Sequence, residues 1–450
     1  MPYQQPGMPQ PVGMPQPMGM PQQFQPIEPP KKRHTALKAG FFCLLFGILL
    51  GGGGIFAYMY FVNPAKCPDC KCPENPAPAV AADINTEFLK LEEPNQNIIY
   101  SPLSIRYGLS LLNAGAASST KAEINNVLGN EELPKYQNIT NKLSLANGVF
   151  VRDTFTSKVL PEYFDTASQK FQAEIAYDNF ADSSKLDTWV KDKTFGLIDK
   201  AGVRVEKNTQ MVLINALAIK MDWEIPFKPE KTFGKSFYKN DNTEIEATTM
   251  HQETTNENVG YLIDDEATIL RMPLESTDSS ALEFVAVMPS GNLTNYISNL
   301  KTSELNAKIE QTIPANKSKK GVEIFIPKFK FSYDLNFTED LNKLGIVKAF
   351  DPDEADFSNM AQASEKLFVS DAIHSANIDF SEDGIKAAAV TAFAMMSGTA
   401  IGDNDEPVVV RIDHPFFFVI RDRKDGTIWF SGAVYEPNLW ANDSASYKAL

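Results

Sequence analysis

Glu382-Asp383-Gly384-Ile385-Lys386-Ala387-Ala388-Ala389-Val390-Thr391-Ala392 is the stretch that decides the fold. Upstream, residues 367–380 read as a strand. Downstream, a run rich in Met, Ser, Gly, Thr, Asn and Asp extends to Pro407. Thirty-one positions separate Gly384 from Pro415. A loop of that length inside a compact domain is rare and usually functional. Its first third also suits a buried strand. Ala387, Ala389 and Thr391 are small and spaced by two, so in an extended chain they share one face. Such side chains can slide between existing strands without steric cost. One segment can therefore be an exposed loop in one state and a strand in another. An ordinary Ala-rich helix or loop fits the composition as well.

The chain has 450 residues, 43% of them hydrophobic, which is ample apolar material for a large core and excludes a wholly disordered chain. Its 42 basic and 57 acidic residues give a net charge of −15, a poor match for a general nucleic-acid binder. The four cysteines are Cys43, Cys67, Cys70 and Cys72. Every residue beyond 72 is thus free of thiols, which rules out a cysteine nucleophile or a thiolate metal site there.

The first 30 residues of a Pro/Met/Gln-rich tail over 1–35 are built on a hexad: Gly7-Met8-Pro9-Gln10-Pro11-Val12 returns at Gly13 and, altered, at Gly19. Proline at this density predicts an extended, disordered cytoplasmic tail, either a solvated spacer or a docking segment for a proline-binding module. Lys31, Lys32, Arg33 and Lys38 precede an uncharged run over 39–62. As a helix that run spans about 36 Å, enough to cross a bilayer. Residues 36–62 are therefore expected to be a transmembrane signal-anchor helix, too long and too far from the start for a cleaved signal peptide. The positive flank places the N-terminus in the cytoplasm and the remainder outside the cell membrane. Residues 63–80 form a Cys- and Pro-rich stalk, in which Cys67, Cys70 and Cys72 offer a disulfide link between two chains. Three ligands without a fourth are a weak metal signal.

Residues 81–450 have the texture of one folded domain, mixed helix and sheet. Ser101-Pro102 opens a buried helix, and Thr120-x-x-Glu123 reads as a capping box starting a helix that stops at Gly129. The apolar run 211–219 suits a central strand covered on both faces. Val322, Ile324 and Ile326 alternate, and the phase shifts after Pro327, which predicts a bulge or bend. Three strands follow Pro407, the last two joined through Asp425-Gly426.

No enzyme site assembles. The histidines, His34, His251, His374 and His414, have no metal-ligand spacing among them. There is no Gly-x-Ser-x-Gly elbow, Walker loop or dinucleotide-binding glycine fingerprint. The chain reads as a non-enzyme without a cofactor.

Several stretches, in order, resemble the serpin family of serine protease inhibitors. They are Asn97-Ile98-Ile99-Tyr100-Ser101-Pro102-Leu103-Ser104-Ile105, Ala146-Asn147-Gly148-Val149-Phe150, Leu186-Asp187-Thr188-Trp189 and Leu213-Ile214-Asn215-Ala216 running into Trp223-Glu224. Ile326-Pro327-Lys328-Phe329, Ala355-Asp356-Phe357-Ser358 and His414-Pro415-Phe416 complete the series, from about residue 81 to about 438. The resemblance implies an α+β fold of three sheets with eight or nine helices and an exposed reactive-centre loop. Together with the anchor, it suggests a membrane-tethered, prokaryote-like member.

The resemblance also implies a function. A protease attacks the loop, and the cleaved loop inserts into the central sheet before the acyl-enzyme is hydrolysed, trapping the protease. The loop hinge would be Glu382, Asp383, Gly384, Ile385, Ala387, Ala388, Ala389, Val390 and Thr391. Ile385 stands where the family usually has Thr or Ser, and slower insertion is expected. Lys386 replaces a usual Glu at a position that should face solvent. Ser101, Ser104, Asn215 and His374 match the shutter beneath the insertion point, with the histidine expected to hydrogen-bond Asn and Ser. Trp223 matches the breach. Counting from the hinge puts the reactive bond at Gly398-Thr399, in the window 396–401. The window has small and apolar residues and no Lys or Arg, which suits elastase-, subtilisin- or papain-like targets. Residues 128–144 are short and contain Pro134, so the helix some members use for glycosaminoglycans looks reduced and heparin is not an expected partner. The alternative is a non-inhibitory serpin acting as a binding or chaperone-like module, for which Ile385 argues mildly and the alanines do not.

Overall fold

The computed structural model describes residues 81–129, 132–277, 280–335, 337–364, 366–370, 372, 374–385 and 406–447. The chain divides into two compact units, Met1–Ala77 and Pro78–Leu450, and every described residue belongs to the second. The tail, the expected anchor at 36–62, Cys67, Cys70 and Cys72 lie outside the described residues. So do hinge residues Ala387, Ala388, Ala389, Val390 and Thr391, and the Gly398-Thr399 bond. Among the described residues no helix is long and apolar enough to cross a membrane.

The helices are α1 (Glu87–Leu91), α2 (Pro102–Gly115), α3 (Ser118–Leu128), α4 (Pro161–Phe171), α5 (Ser184–Lys193), α6 (Leu293–Ser298), α7 (Thr302–Glu310), α8 (Phe337–Lys343) and α9 (Trp440–Tyr447). The strands are β1 (Ile98–Tyr100), β2 (Leu143–Arg152), β3 (Ala173–Asp178), β4 (Met211–Ile219), β5 (Met221–Asp222), β6 (Thr232–Tyr238), β7 (Glu244–Thr254), β8 (Gly260–Ile263) and β9 (Ala267–Pro273). They continue with β10 (Leu282–Pro289), β11 (Ile313–Pro314), β12 (Val322–Pro327), β13 (Phe329–Leu335), β14 (His374–Phe380), β15 (Gly384–Ile385), β16 (Val408–Arg411), β17 (Phe416–Asp422) and β18 (Ile428–Val434).

Local chemistry explains most boundaries. Ser101 caps α2, its hydroxyl oxygen accepting the Ser104 N–H at 3.0 Å, with Pro102 in the first turn. The helix buries Leu103, Ile105, Leu109 and Leu111. The capping box expected at Thr120 does not form. Helix α3 starts two residues earlier, because Thr120 and Glu123 are used elsewhere. The Thr120 hydroxyl accepts the Asp356 N–H at 3.0 Å, and Glu123 accepts the N–H groups of Val347 and Lys348 at 2.9 and 2.8 Å. The helix does stop at Gly129, whose φ of +69° favours glycine.

The phase shift at Pro327 is a change of sheet. Strand β12 lies in the sheet β16-β12-β7-β6, and one residue later β13 begins another. A seven-stranded sheet, β1-β18-β17-β10-β9-β8-β11, carries the buried strands β17 and β18.

The remaining sheets are two halves of one. Strands β3-β2-β4 form the first, and β13-β14-β15-β5 the second. Strand β5 continues β4 after Lys220, so the two-residue β15 lies between that edge and β14. Below it the facing edges of β4 and β14 are not paired with each other. They border a cavity of about 600 Å³ whose lining includes Ser104, Leu213, Asn215, Leu217, His374 and Ala376. This opening corrects two expectations. The strand foreseen over 367–380 begins only at His374, and the residues before it line the cavity. Strand β4 is not covered on both faces along its whole length. Alternate residues over 211–215 are partly exposed, and only 216–219 are fully buried.

Candidate functional site

The hinge is a tight turn that delivers the chain from β14 into β15. Phe380 pairs with Ile385, and across the other edge Gly384 pairs with Asp222 and Ile385 with Met221. Ser381 donates its N–H to the Gly384 carbonyl at 3.0 Å. Glycine is required here by close approach: a Cβ on Gly384 would sit 2.3 Å from the Met221 carbonyl oxygen. Ile385, expected to be the first side chain to enter the sheet, already lies in it and is 4% exposed.

Trp223 and Phe227 hold this turn. Trp223 donates its backbone N–H to the Asp383 carbonyl at 2.9 Å and its indole N–H to the Ser381 carbonyl at 2.8 Å. Phe227 donates to the Glu382 carbonyl at 2.8 Å. The Trp223 ring packs edge-on against Phe380, centroids 5.1 Å apart, and against Phe284 at 6.1 Å.

Glu382 is buried at the turn, 7% exposed. Its carboxylate accepts from Thr232 at 2.8 Å and Tyr447 at 2.7 Å, and meets the Lys328 ammonium at 3.0 Å. Burial alone would raise its pKa. Tyr447, Lys328 and Thr232 together outweigh that and hold it below the ordinary range, so the group is ionised. Sequence reasoning placed Glu382 in the hinge and missed all three partners. They come from β6, the residue between β12 and β13, and α9, and no local pattern links them.

The polar cluster under the slot differs in detail from the expectation. Ser104 donates to Asn215, and Asn215 donates to Asn147 at 2.7 Å. Asn147, read from the sequence only as part of a motif and not as a member of this cluster, passes the chain on to the Phe171 carbonyl at 2.8 Å. His374 instead accepts the Ser101 backbone N–H at Nε2, 3.0 Å away. The histidine therefore pins the lower end of β14 to the start of α2, and Asn215 is held from the opposite side. Desolvation pushes the His374 pKa down to about 4, so the ring is neutral near pH 7, as an acceptor must be.

The other described histidines are held by neighbours. His251 bonds Glu323 at 3.0 Å and stacks on Phe325, and with Glu253 these are the described residues able to gather round a cation. His414 bonds Asp413 at 2.7 Å. Residues 132–138, where a helix looked reduced, contain neither helix nor strand.

A split sheet with its two-residue entering strand can be set beside known proteins. The family model described as Serpin (serine protease inhibitor) matches residues 79–437. The chain is a serpin. Human neuroserpin is 28% identical over 395 residues, covering 80% of this serpin and 91% of neuroserpin. Human serpin B4 is 28% identical over 397 residues, covering 79% and 97%. The crystal structure of the thermophilic serpin tengpin in its native state superposes with a TM-score of 0.67 and 26% identity over 80% of this chain and 93% of tengpin. Thyroxine-binding globulin in complex with thyroxine gives a TM-score of 0.64 at 25% identity over 79% and 98%. Serpins are mostly inhibitors and not enzymes, in keeping with a site built of hinge, turn and slot. The three sheets expected of the family are those found, once the two halves are counted as one. Helix α9 lies beyond the last matched residue.

Proposed function

We propose that this serpin inhibits proteases as a suicide substrate whose cleaved loop inserts between β4 and β14. The observation that carries the reading is β15, a two-residue strand at the head of an open slot. Continuing its register down the slot puts Ala387 opposite Ile219, Ala389 opposite Leu217 and Thr391 opposite Asn215, with His374 across from Thr391 on the β14 side. Side chains two apart share a face, so these small residues would follow buried Ile385 toward the cavity, and Lys386 would turn to solvent. Each edge of the slot supplies ladder groups. If roughly ten new hydrogen bonds contribute about 1 kcal/mol each, the gain rivals the ~5–15 kcal/mol stability of a whole domain. A gain of that size would favour the inserted state strongly enough to displace an acylated protease from its bound geometry.

The proposed reactive bond is Gly398-Thr399. Attack by the protease's serine or cysteine would leave the acyl group on Gly398 and free the amine of Thr399. With no Lys or Arg between Lys386 and Arg411, elastase-, subtilisin- or papain-like enzymes are the proposed targets. The uncharged run at 39–62, with its basic flank before it, supports a single-pass tether holding the inhibitor outside the cell membrane.

Mixing the full chain with a panel of such proteases and a trypsin-like enzyme tests the reading. A band at the summed mass that survives denaturation is expected with at least one small-residue-specific protease. Cleavage throughout the panel without that band would favour the binding-module alternative.

A further inference from the structure

We propose that Tyr447 is a positioning residue for loop insertion: from the C-terminal helix α9 its hydroxyl ties the Glu382 carboxylate and holds in register the turn through which the loop enters the sheet. The proposal rests on the inhibitory reading above and adds a part that lies outside the matched family region, which ends at residue 437.

Helix α9 is fixed where it needs to be. Trp440 packs over Gly234 on β6, where an added Cβ would come within 2.6 Å of the indole ring. Asp443 accepts from Thr248 on β7 at 2.8 Å and from Asn438 at 3.2 Å. Leu439 bridges Ala247. Trp440 and Tyr447 stack on each other with centroids 5.5 Å apart. These contacts hold the helix against β6 and β7, and the Tyr447 hydroxyl reaches Glu382 at 2.7 Å. The same carboxylate oxygen takes the Thr232 hydroxyl, and Lys328 binds both the other oxygen and the tyrosine hydroxyl. Lys328 also lies over the Tyr447 ring, 5.1 Å from its centroid. Three separate parts of the chain thus converge on one turn residue.

The turn matters because β15 is only two residues long. Its register against β5 and β14 is the template for every later pair, and a one-residue slip would send the small side chains to solvent and Lys386 to the cavity. Other ties on the turn include the backbone N–H groups of Trp223 and Phe227 and the Trp223 indole N–H, which hold its carbonyls, whereas Tyr447, Thr232 and Lys328 hold the Glu382 side chain.

Hydrogen exchange on the full chain, without protease, tests the tie directly. Tyr447→Phe keeps the ring and its stacking and removes only the hydroxyl. A hydrogen bond to a charged group supports an expected acceleration of about tenfold at the Trp223 and Phe227 amides, with α9 amides unchanged. Glu382→Gln, which keeps the shape and removes the charge, should release the same amides. Unchanged exchange at Trp223 and Phe227 in both variants would overturn the proposal. So would equal acceleration within α9 in Tyr447→Phe, which would mean simple loosening of the helix. In the trapping assay, Tyr447→Phe should raise severalfold the amount of chain consumed per protease trapped, and an unchanged ratio would overturn the role in insertion. A wild-type chain that traps nothing would instead refute the inhibitory reading, while the exchange result still decides the tie.

Discussion

Two partly buried groups should give this serpin opposing responses to acid, and separating them tests the geometry of the slot and its flank. His374 takes a proton at about pH 4 in the folded chain and near its ordinary 6.5 when unfolded. Acidification through that window favours the unfolded chain, by about 2 kcal/mol at pH 5. Glu92 behaves oppositely. Burial, with the Asp340 carboxylate nearby, lifts it from 4.5 to about 7, against the pull of the Tyr333 hydroxyl and Lys343. Its folded pKa is the higher one, so its stabilising contribution is present in acid and is lost as the pH rises through 7. Glu92 is only half buried, so solvent screens its contribution to about 1 kcal/mol between pH 7.5 and 5. In the wild type the two terms oppose each other, and the His374 term is the larger. His374→Gln, whose amide oxygen can still accept the Ser101 N–H, should leave a chain that gains about 2 kcal/mol on acidification to pH 5 relative to wild type. Glu92→Gln should lose about 1 kcal/mol, so the variants diverge by about 3 kcal/mol. Urea midpoints at a series of pH values read this out. If both variants track the wild type within about 0.5 kcal/mol, the burial assigned to these groups is refuted.

Three further outcomes are expected. Ala389→Asp would bring a carboxylate opposite Leu217 and Ala376, at a cost of several kcal/mol. Insertion should then lose to deacylation and the chain should be cut as a substrate, seen as at least a tenfold rise in chain consumed per protease trapped, and a ratio like wild type would contradict the register. Gly384→Ala would drive a Cβ into the Met221 carbonyl and should lower the urea stability by about 1–3 kcal/mol, and an unaltered midpoint would argue against the close approach. In intact cells an epitope within residues 1–35 should survive added protease while the serpin domain is cleaved, and loss of the epitope would refute the proposed orientation.

What the sequence revealed followed the range of the interactions involved. Strand 322–326, the hairpin through Asp425-Gly426 and the Ser101-Pro102 helix start were readable because their causes lie within a few residues. Gly384 was singled out by its place after a strand, and the structure puts it in a tight turn, whereas the small residues 387–391 lie outside the described residues. The capping box at Thr120 failed because its side chains are taken by residues 347–356, far along the chain. The slot was invisible from sequence. An apolar run such as 211–219 looks the same whether or not a neighbour strand lies beside it. Likewise nothing near Glu382 announces Tyr447, sixty-five residues away, or that His374 would choose a backbone N–H over Asn215.

The central claim is that the slot between β4 and β14 is filled by the loop. Hydrogen exchange across 386–395, β4 and β14, before and after cleavage near residue 398, tests it most directly. Insertion predicts that 387–395 become strongly protected after cleavage, along with the facing edges at 211–219 and 374–380. Cleavage that leaves 387–395 exchanging as before would contradict it.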